Sequence, residues 1–179
     1  EIALTAQTIE RFRSRFEGKI AVLHHRLSAG ERFDEWKRIK EGKAQIVIGA
    51  RSAIFSPVKE LGLLIVDEEH ESSYKQTEEH PAYHARDVAV MRGKFCKAAV
   101  VLGSATPSLE SFYNAKNGKY TLSTLHARAT NAAMPKVTIV DMKHEFDKAK
   151  GYVIFSDPLL EGIKRCIAKG EQVILFLNR

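Results

Sequence analysis

The sequence predicts an α/β protein in which a doubly wound parallel sheet is covered by helices. Six short runs rich in valine and isoleucine alternate with longer amphipathic stretches. The runs are apolar at consecutive positions, which is typical of strands buried on both faces, as in parallel sheets. The regular alternation of strand and helix favours the doubly wound class. The predicted strands cover residues 21–24, 45–49, 63–67, 99–103, 137–141 and 173–177.

The stretches between these strands carry the signals of helices. In residues 5–16, Ile9, Phe12 and Phe16 recur at helical spacing, with charged residues on the opposite face. Ser28 and Glu31 have the spacing of a capping box at the start of the next helix, which ends near Gly42. Three further helices are predicted at residues 83–95, 107–116 and 158–169.

The last third of the chain is predicted to contain a linker before the last strand. Residues 126–135 and 143–151 show no periodicity of either kind. The last predicted strand therefore either begins a second domain or joins the same sheet. Because the chain begins without methionine and ends in an apolar run, we expect it to be a piece of a longer protein.

The composition excludes several classes of protein. Of the 179 residues, 44% are hydrophobic and 28% are charged, which excludes disordered and fibrous chains. No apolar run reaches the roughly 20 residues of a membrane span, and no signal peptide is visible, so we expect a cytoplasmic protein without a membrane partner. The net charge of +6 suits a polyanionic partner without identifying it. Cys96 and Cys166 lack metal-binding spacing and are expected to be packed apolar residues.

Three carboxylates and a histidine follow the third predicted strand, as Asp67, Glu68, Glu69 and His70. In an open parallel sheet, ligands bind beyond the carboxyl ends of the strands, so these side chains are placed where chemistry occurs. Carboxylate oxygens suit Mg²⁺ bound together with substrate phosphates. A second carboxylate can deprotonate a water that attacks phosphorus. The alternative is a solvated acidic turn.

Small hydroxyl residues follow the next strand, as Ser104 and Thr106. They are predicted to lie at the same sheet edge as Asp67, where they can hydrogen-bond to a neighbouring acid or histidine and shift with it. The segment lacks the Gly-x-Ser-x-Gly pattern, so acyl transfer is not supported. The alternative is that Thr106 or Ser108 serves as the N-cap of the following helix.

Together these segments resemble motifs II and III of the superfamily 2 DNA helicases. Residues 1–5 resemble motif Ia, residues 49–55 motif Ib, and residues 173–179 the start of motif IV. Residues 67–76 and 83–87 resemble the primosomal helicases that restart replication at stalled forks. The chain is therefore identified as a member of superfamily 2 along essentially its whole length.

The resemblance implies a RecA-like parallel sheet flanked by helices, the fold of a P-loop NTPase motor domain. Residues 1–130 would form most of the first ATP-binding domain, and residues 131–179 a linker and the start of the second. Asp67 would hold the Mg²⁺ of MgATP through water, Glu68 would activate the attacking water, and His70 would pass the nucleotide state to Ser104 and Thr106. Three further residues would touch phosphates of single-stranded DNA: Thr5, Arg51 and Ser52.

The loop at residues 71–83 resembles the aromatic-rich loop that couples DNA binding to ATP hydrolysis in these helicases. It contains Tyr74, Lys75 and Tyr83. Aromatic rings stack on unpaired bases of any identity, and a nearby lysine meets the backbone. The alternative is a polar surface loop whose tyrosines pack at its base.

Some parts of the helicase pattern do not occur in this sequence. No Gly-x-x-x-x-Gly-Lys-Ser/Thr loop is present, and in the family that loop precedes motif Ia. The later helicase motifs and the family's zinc-binding cysteines are also absent, so zinc is expected only elsewhere in the parent.

The implied function of the parent is ATP-dependent unwinding at stalled forks. Its expected partners are single-stranded and forked DNA and the primosome and replication proteins, at the nucleoid in a bacterial cytoplasm. The isolated chain is expected to turn over no ATP. One alternative is an inactive module that binds single-stranded DNA or a protein partner. A two-metal nuclease is a weaker alternative, because nucleases generally distribute their acids over several elements.

Overall fold

The computed structural model describes residues 6–16, 18–24, 26–77, 80–127 and 135–176. The chain divides into two compact units, Glu1–Ser123 and Thr124–Arg179. The helices of the first unit are α1 (Ala6–Arg13), α2 (Ala29–Lys40), α3 (Ala85–Cys96) and α4 (Leu109–Lys116). Its strands are β1 (Ile20–Leu23), β2 (Ile46–Gly49), β3 (Leu63–Val66), β4 (Lys75–Gln76), β5 (Tyr83–His84) and β6 (Ala99–Leu102). Short 3-10 helices lie at Arg51–Phe55 and Ser72–Tyr74.

The four longer strands pair in parallel, as their apolar runs predict. Ile20 lies opposite Ile46 in the β1–β2 pair, and Val66 lies opposite Leu102 in the β3–β6 pair. Parallel neighbours need a crossover connection, which includes α2 in the first pair and α3 in the second. Within the described ranges the two pairs are separate sheets. The α/β class with parallel strands is therefore confirmed, whereas these residues do not form one continuous sheet.

The β1–β2 pair packs on α2 through a small apolar core. Ala21, Ile39 and Ala44 are buried there, and Leu23, Val47 and Val58 pack against them. The predicted capping box is present, because Glu31 N donates to Ser28 Oγ at 3.3 Å and Ser28 N donates to Glu31 Oε2 at 2.8 Å. These bonds satisfy backbone donors at the start of α2 and fix where the helix begins.

The β3–β6 pair is covered on one face by α3. Gly93 of α3 approaches so closely that a Cβ on it would collide with the side chain of Val100. On the opposite face Leu63, Ile65 and Val101 are 52%, 64% and 49% exposed. The prediction that these strands are buried on both faces is therefore wrong for this chain. Alternate side chains of a strand lie on opposite faces, and α3 packs against only one of them.

The second unit contains two helices, α5 (Met142–Ala149) and α6 (Asp157–Ala168). The strand predicted at 137–141 is wrong, and residues 173–176 of the strand predicted at 173–177 are also not in a strand. An apolar run becomes a strand only when another strand pairs with its backbone groups, and the described part of this unit supplies none.

Helix α5 occupies a segment that was predicted to be linker. Asp141 is its N-cap and accepts a hydrogen bond from Lys143 N at 2.9 Å. The rings of Phe146 and Tyr152 then pack at 5.3 Å between centroids. The helix predicted at 158–169 is confirmed as α6, with Ser156 as its N-cap.

The two cysteines differ in their exposure. Cys96 is exposed and Cys166 is partly buried. The expected packing of Cys96 is wrong, because it is the last residue of α3, just before the left-handed Lys97 that ends the helix. In the ranges that the structure describes, no helix combines the length and the apolar character required to cross a bilayer.

Candidate active site

Two segments follow neighbouring parallel strands at the same edge of the sheet. The acidic turn (residues 67–70) follows β3, and the hydroxyl segment (residues 104–106) follows β6. Backbone pairing continues past the ends of β3 and β6, because Gly103 N donates to Val66 O at 2.8 Å and Glu69 N donates to Gly103 O at 3.0 Å. The residues after the two strands are thus connected through the backbone. These hydrogen bonds fix the distance between the backbone of the acidic turn and that of the hydroxyl segment.

Asp67 and Glu68 present their carboxylates to solvent at this edge. Asp67 is exposed, and its Oδ1 accepts a hydrogen bond from Glu68 N at 3.1 Å. Glu68 has a φ of +47°, in the left-handed region, and its side chain is 49% exposed. Gly103 leaves ordinary contact space beside Asp67, since a Cβ on it would lie 3.6 Å from Oδ1.

The donor set at this edge fits Mg²⁺ bound in the manner of nucleotide sites. Among the described residues, no three His, Cys, Asp or Glu side chains converge into a metal cage. Mg²⁺ in such sites keeps several waters and uses one or two carboxylates together with substrate phosphates. Asp67 can supply that single carboxylate while Glu68, beside it, remains open to water.

His70 lies between the carboxylates and the hydroxyl segment. Its Nδ1 is 2.7 Å from Ser104 Oγ and 3.6 Å from Glu68 Oε2. Its Nε2 is 3.5 Å from Thr106 Oγ1, and Thr106 N donates to Ser104 Oγ at 3.0 Å. The structure therefore brings together His70, Ser104 and Thr106, for which the resemblance implies a relay, and places Glu68 beside them. Of the two candidate N-caps of α4, Ser108 occupies the position.

Glu69 is the residue at this site that the sequence reasoning missed. Its side chain is only 1% exposed. It accepts hydrogen bonds from Ser108 N at 2.7 Å, Ser108 Oγ at 3.0 Å, Ser111 Oγ at 2.8 Å and Arg86 Nη1 at 3.2 Å. The sequence did carry a signal for it. Asp67 and Glu68 are sufficient for the proposed chemistry, so a third consecutive acid indicates another role.

The electrostatics of this cluster keep Glu69 charged. Burial raises the pKa of the Glu69 carboxyl, but the hydrogen bonds from Ser108, Ser111 and Arg86 lower it more, so the pKa lies below its ordinary value. Burial lowers the pKa of Arg86, and its bonds to Asp87 and Glu69 raise it more. Glu69 and Arg86 therefore form a buried ion pair whose charges are satisfied by hydrogen bonds.

The loop that follows the turn is hydrogen-bonded back to it through Tyr74. The hydroxyl of Tyr74 donates to Asp67 O at 2.7 Å. Burial raises the pKa of this hydroxyl, and the negative charge of Asp67 adds to the effect. Strands β4 and β5 close the loop as an antiparallel pair, with Gln76 opposite Tyr83.

Arg51 fastens the same loop to the segment after β2. Its Nη1 donates to Ser73 O at 3.0 Å and to Lys75 O at 3.2 Å. Its guanidinium also lies 5.9 Å from the ring centroid of Tyr83, which packs edge-on against Phe55 at 5.0 Å.

The remaining DNA-contact candidates differ in their accessibility. Tyr74 and Tyr83 are partly buried at the base of the loop, as expected of a polar surface loop whose tyrosines pack at its base. Ser52 and Lys75 are exposed. Thr5, with the rest of residues 1–5, lies outside the described residues.

Comparison with known proteins identifies the family of this chain. The model of the DEAD/DEAH box helicases matches residues 1–115. The chain belongs to this family. The family resemblance and the RecA-like α/β class predicted from the motifs are thereby confirmed.

Relatives match over the whole length of the chain. The replication restart proteins PriA of Chlamydia pneumoniae, Bacillus subtilis and Haemophilus influenzae are 54%, 50% and 46% identical over 179 residues. The chain covers 24%, 22% and 24% of these proteins. It thus spans about a quarter of the length of the relatives that it matches.

Proposed function

We propose that this chain forms part of the ATP-driven motor of a replication-restart helicase. The observation that carries the proposal is the contact of His70 with Ser104 beside two solvent-open carboxylates. Membership of the helicase family and similarity to the replication restart proteins support it. Residues 1–130 are proposed to belong to the first motor domain, and 131–179 to a linker and the start of the second.

In this proposal Asp67 and Glu68 divide the chemistry of hydrolysis. Asp67 would hold Mg²⁺ through water, and the ion when bound would supply positive charge to the phosphate oxygens of ATP. Glu68 orients a water and accepts its proton as the oxygen attacks the terminal phosphorus, and the bond from that phosphorus to the bridging oxygen breaks so that ADP leaves. The exposure of the Glu68 side chain leaves room for that water.

The hydroxyl segment would report the state of the nucleotide to the rest of the motor. His70 contacts both Glu68 and Ser104 through Nδ1, at 3.6 and 2.7 Å. A change in the hydrogen bonding of Glu68 during hydrolysis can therefore change the bond from His70 to Ser104. Thr106 follows, because its backbone N–H is bonded to the same Ser104 oxygen.

Single-stranded and forked DNA is the proposed track of this motor. Thr5, Arg51, Ser52 and Lys75 would contact phosphates, which carry no sequence information and suit a translocating protein. Tyr74 and Tyr83 would stack on bases when DNA opens the base of the loop. The net charge of +6 favours such a partner. Primosome and replication proteins at the bacterial nucleoid are the proposed protein partners.

Replacing Glu68 in the full-length protein tests the proposed chemistry. Glu68→Gln preserves shape and removes the basic oxygen, so ATP turnover should fall by at least about 10²-fold. Binding of single-stranded DNA should remain. Glu60→Gln removes an exposed carboxylate before β3 and serves as the control, with turnover unchanged. Equal loss of turnover and DNA binding in Glu68→Gln would instead make Glu68 structural.

A second candidate is a chain that binds without hydrolysing. The observation in its favour is that the sequence contains no Gly-x-x-x-x-Gly-Lys-Ser/Thr loop. In that case Glu68→Gln leaves the full-length protein as active as the wild type, because another segment carries the chemistry.

A further inference from the structure

We propose that Glu69 is a positioning residue that sets the geometry of the acidic turn. Its buried carboxylate fastens the turn to the start of α4 and to Arg86, and this holds Glu68 and His70 in their working orientations. The inference rests on the proposed function above, since it names the residue that arranges the hydrolytic site.

Glu68 has a backbone conformation that needs support from its neighbours. A residue with a side chain rarely adopts a φ of +47°, and such a conformation persists only where the surrounding structure holds it. The next residue supplies the hold. Glu69 is bonded through its backbone N–H to Gly103 O at 3.0 Å, and its side chain is anchored to two helices.

Both oxygens of the Glu69 carboxylate are occupied by hydrogen bonds. It accepts two bonds from Ser108, one from Ser111 and one from Arg86, and a carboxylate offers about four acceptor positions. Because the side chain is only 1% exposed, it is closed to an attacking water. Glu69 therefore acts through its neighbours and is not itself the base.

The hydrogen-bond partners of Glu69 lie close along the chain to the other parts of the site. Ser108 lies four residues after Ser104, and Arg86 lies in the first turn of α3, two residues after β5 ends at His84. Fixing Ser108 fixes the segment that presents Ser104 and Thr106 to His70. One carboxylate thus sets the position of the acidic turn relative to the hydroxyl segment and to the end of the loop.

The decisive experiment compares Glu69→Gln with the wild type as full-length proteins, at saturating single-stranded DNA. Glutamine preserves the volume but removes the charge and places a donor among donors. We expect kcat for ATP to fall about 10-fold to 100-fold, the size of effect that a small misplacement produces, while KM changes less than about twofold. Glu110→Gln is the matched control, because Glu110 is 71% exposed and lies 3.9 Å from Arg86; its kcat should not change.

Thermal unfolding of each variant separates positioning from stability. A Glu69→Gln protein that is less stable but has wild-type kcat and KM, assayed where it is fully folded, would overturn the inference. If that variant does not fold, Ser111→Ala decides, since it removes one bond of 2.8 Å to the carboxylate. A lower kcat with unchanged KM supports the inference, and a wild-type kcat overturns it.

Glu68→Gln in the same assay distinguishes this inference from the proposed function. If Glu68→Gln retains turnover, the proposed function fails and the positioning role fails with it. If Glu68→Gln is inactive while Glu69→Gln and Ser111→Ala behave as the wild type, only the positioning role fails.

Discussion

The β1–β2 pair and the β3–β6 pair share parallel pairing but are stabilised by different contacts. The first closes on an apolar core formed by Ala21, Ile39 and Ala44. At the carboxyl end of the second, a buried carboxylate is surrounded by serine hydroxyls and a guanidinium, and one face of its strands is exposed. The β1–β2 pair is therefore stabilised by the packing of apolar side chains. The proposed catalytic edge of the β3–β6 pair is held instead by hydrogen bonds between individual polar atoms.

Matched isoleucine truncations test this comparison with the largest expected effect on stability. Ile39→Ala removes a side chain that is 1% exposed and should lower the free energy of unfolding by about 2–5 kcal/mol. Ile65→Ala, at a position that is 64% exposed, should lower it by only about 0.5 kcal/mol. Urea unfolding of the 179-residue chain, followed by circular dichroism, measures both. Equal losses at the two positions would remove the distinction between the pairs.

Tyr74 tests whether the aromatic loop (residues 71–83) acts on the acidic turn, because its hydroxyl donates a hydrogen bond to Asp67 O. In the full-length protein, Tyr74→Ala should leave basal ATP hydrolysis nearly unchanged and reduce its stimulation by single-stranded DNA about fivefold or more. Lost stacking should also weaken DNA binding by roughly 1–3 kcal/mol, so stimulation is compared at saturating DNA.

Tyr74→Phe is the matched control that separates the ring from the hydroxyl. It keeps the stacking surface and removes the donor to Asp67 O, so DNA affinity should be retained while stimulation falls. Full stimulation of both variants at saturating DNA would show that Tyr74 contributes affinity alone.

The sequence predicted the first unit well because its signals are local. Apolar runs located the four parallel strands, and Ser28 with Glu31 located the start of α2. The strand predicted at 137–141 failed because strand formation also requires a distant partner, which a run of apolar residues cannot reveal. Helix α5 was missed because it is only eight residues long, although Met142, Phe146 and Ala149 recur at helical spacing along it.

The candidate site shows the same division between local and distant information. The rule that parallel strands present their carboxyl ends at one edge placed Asp67, His70 and Ser104 near one another. The role of Glu69 could not be predicted in this way, because its side-chain partners Arg86, Ser108 and Ser111 lie 17 to 42 residues away along the chain. Only the packing of α3 and α4 brings them together.

In the proposed motor, the acidic turn and the hydroxyl segment act as one coupled unit. Base pairs unwound per ATP hydrolysed by full-length Ser104→Ala test it most directly, because this variant removes the oxygen 2.7 Å from His70 Nδ1 and leaves both carboxylates in place. We predict that hydrolysis stays within a fewfold of the wild type while unwinding per ATP falls about tenfold, the size of a typical coupling between sites. Hydrolysis and unwinding that fall in the same proportion would contradict the claim.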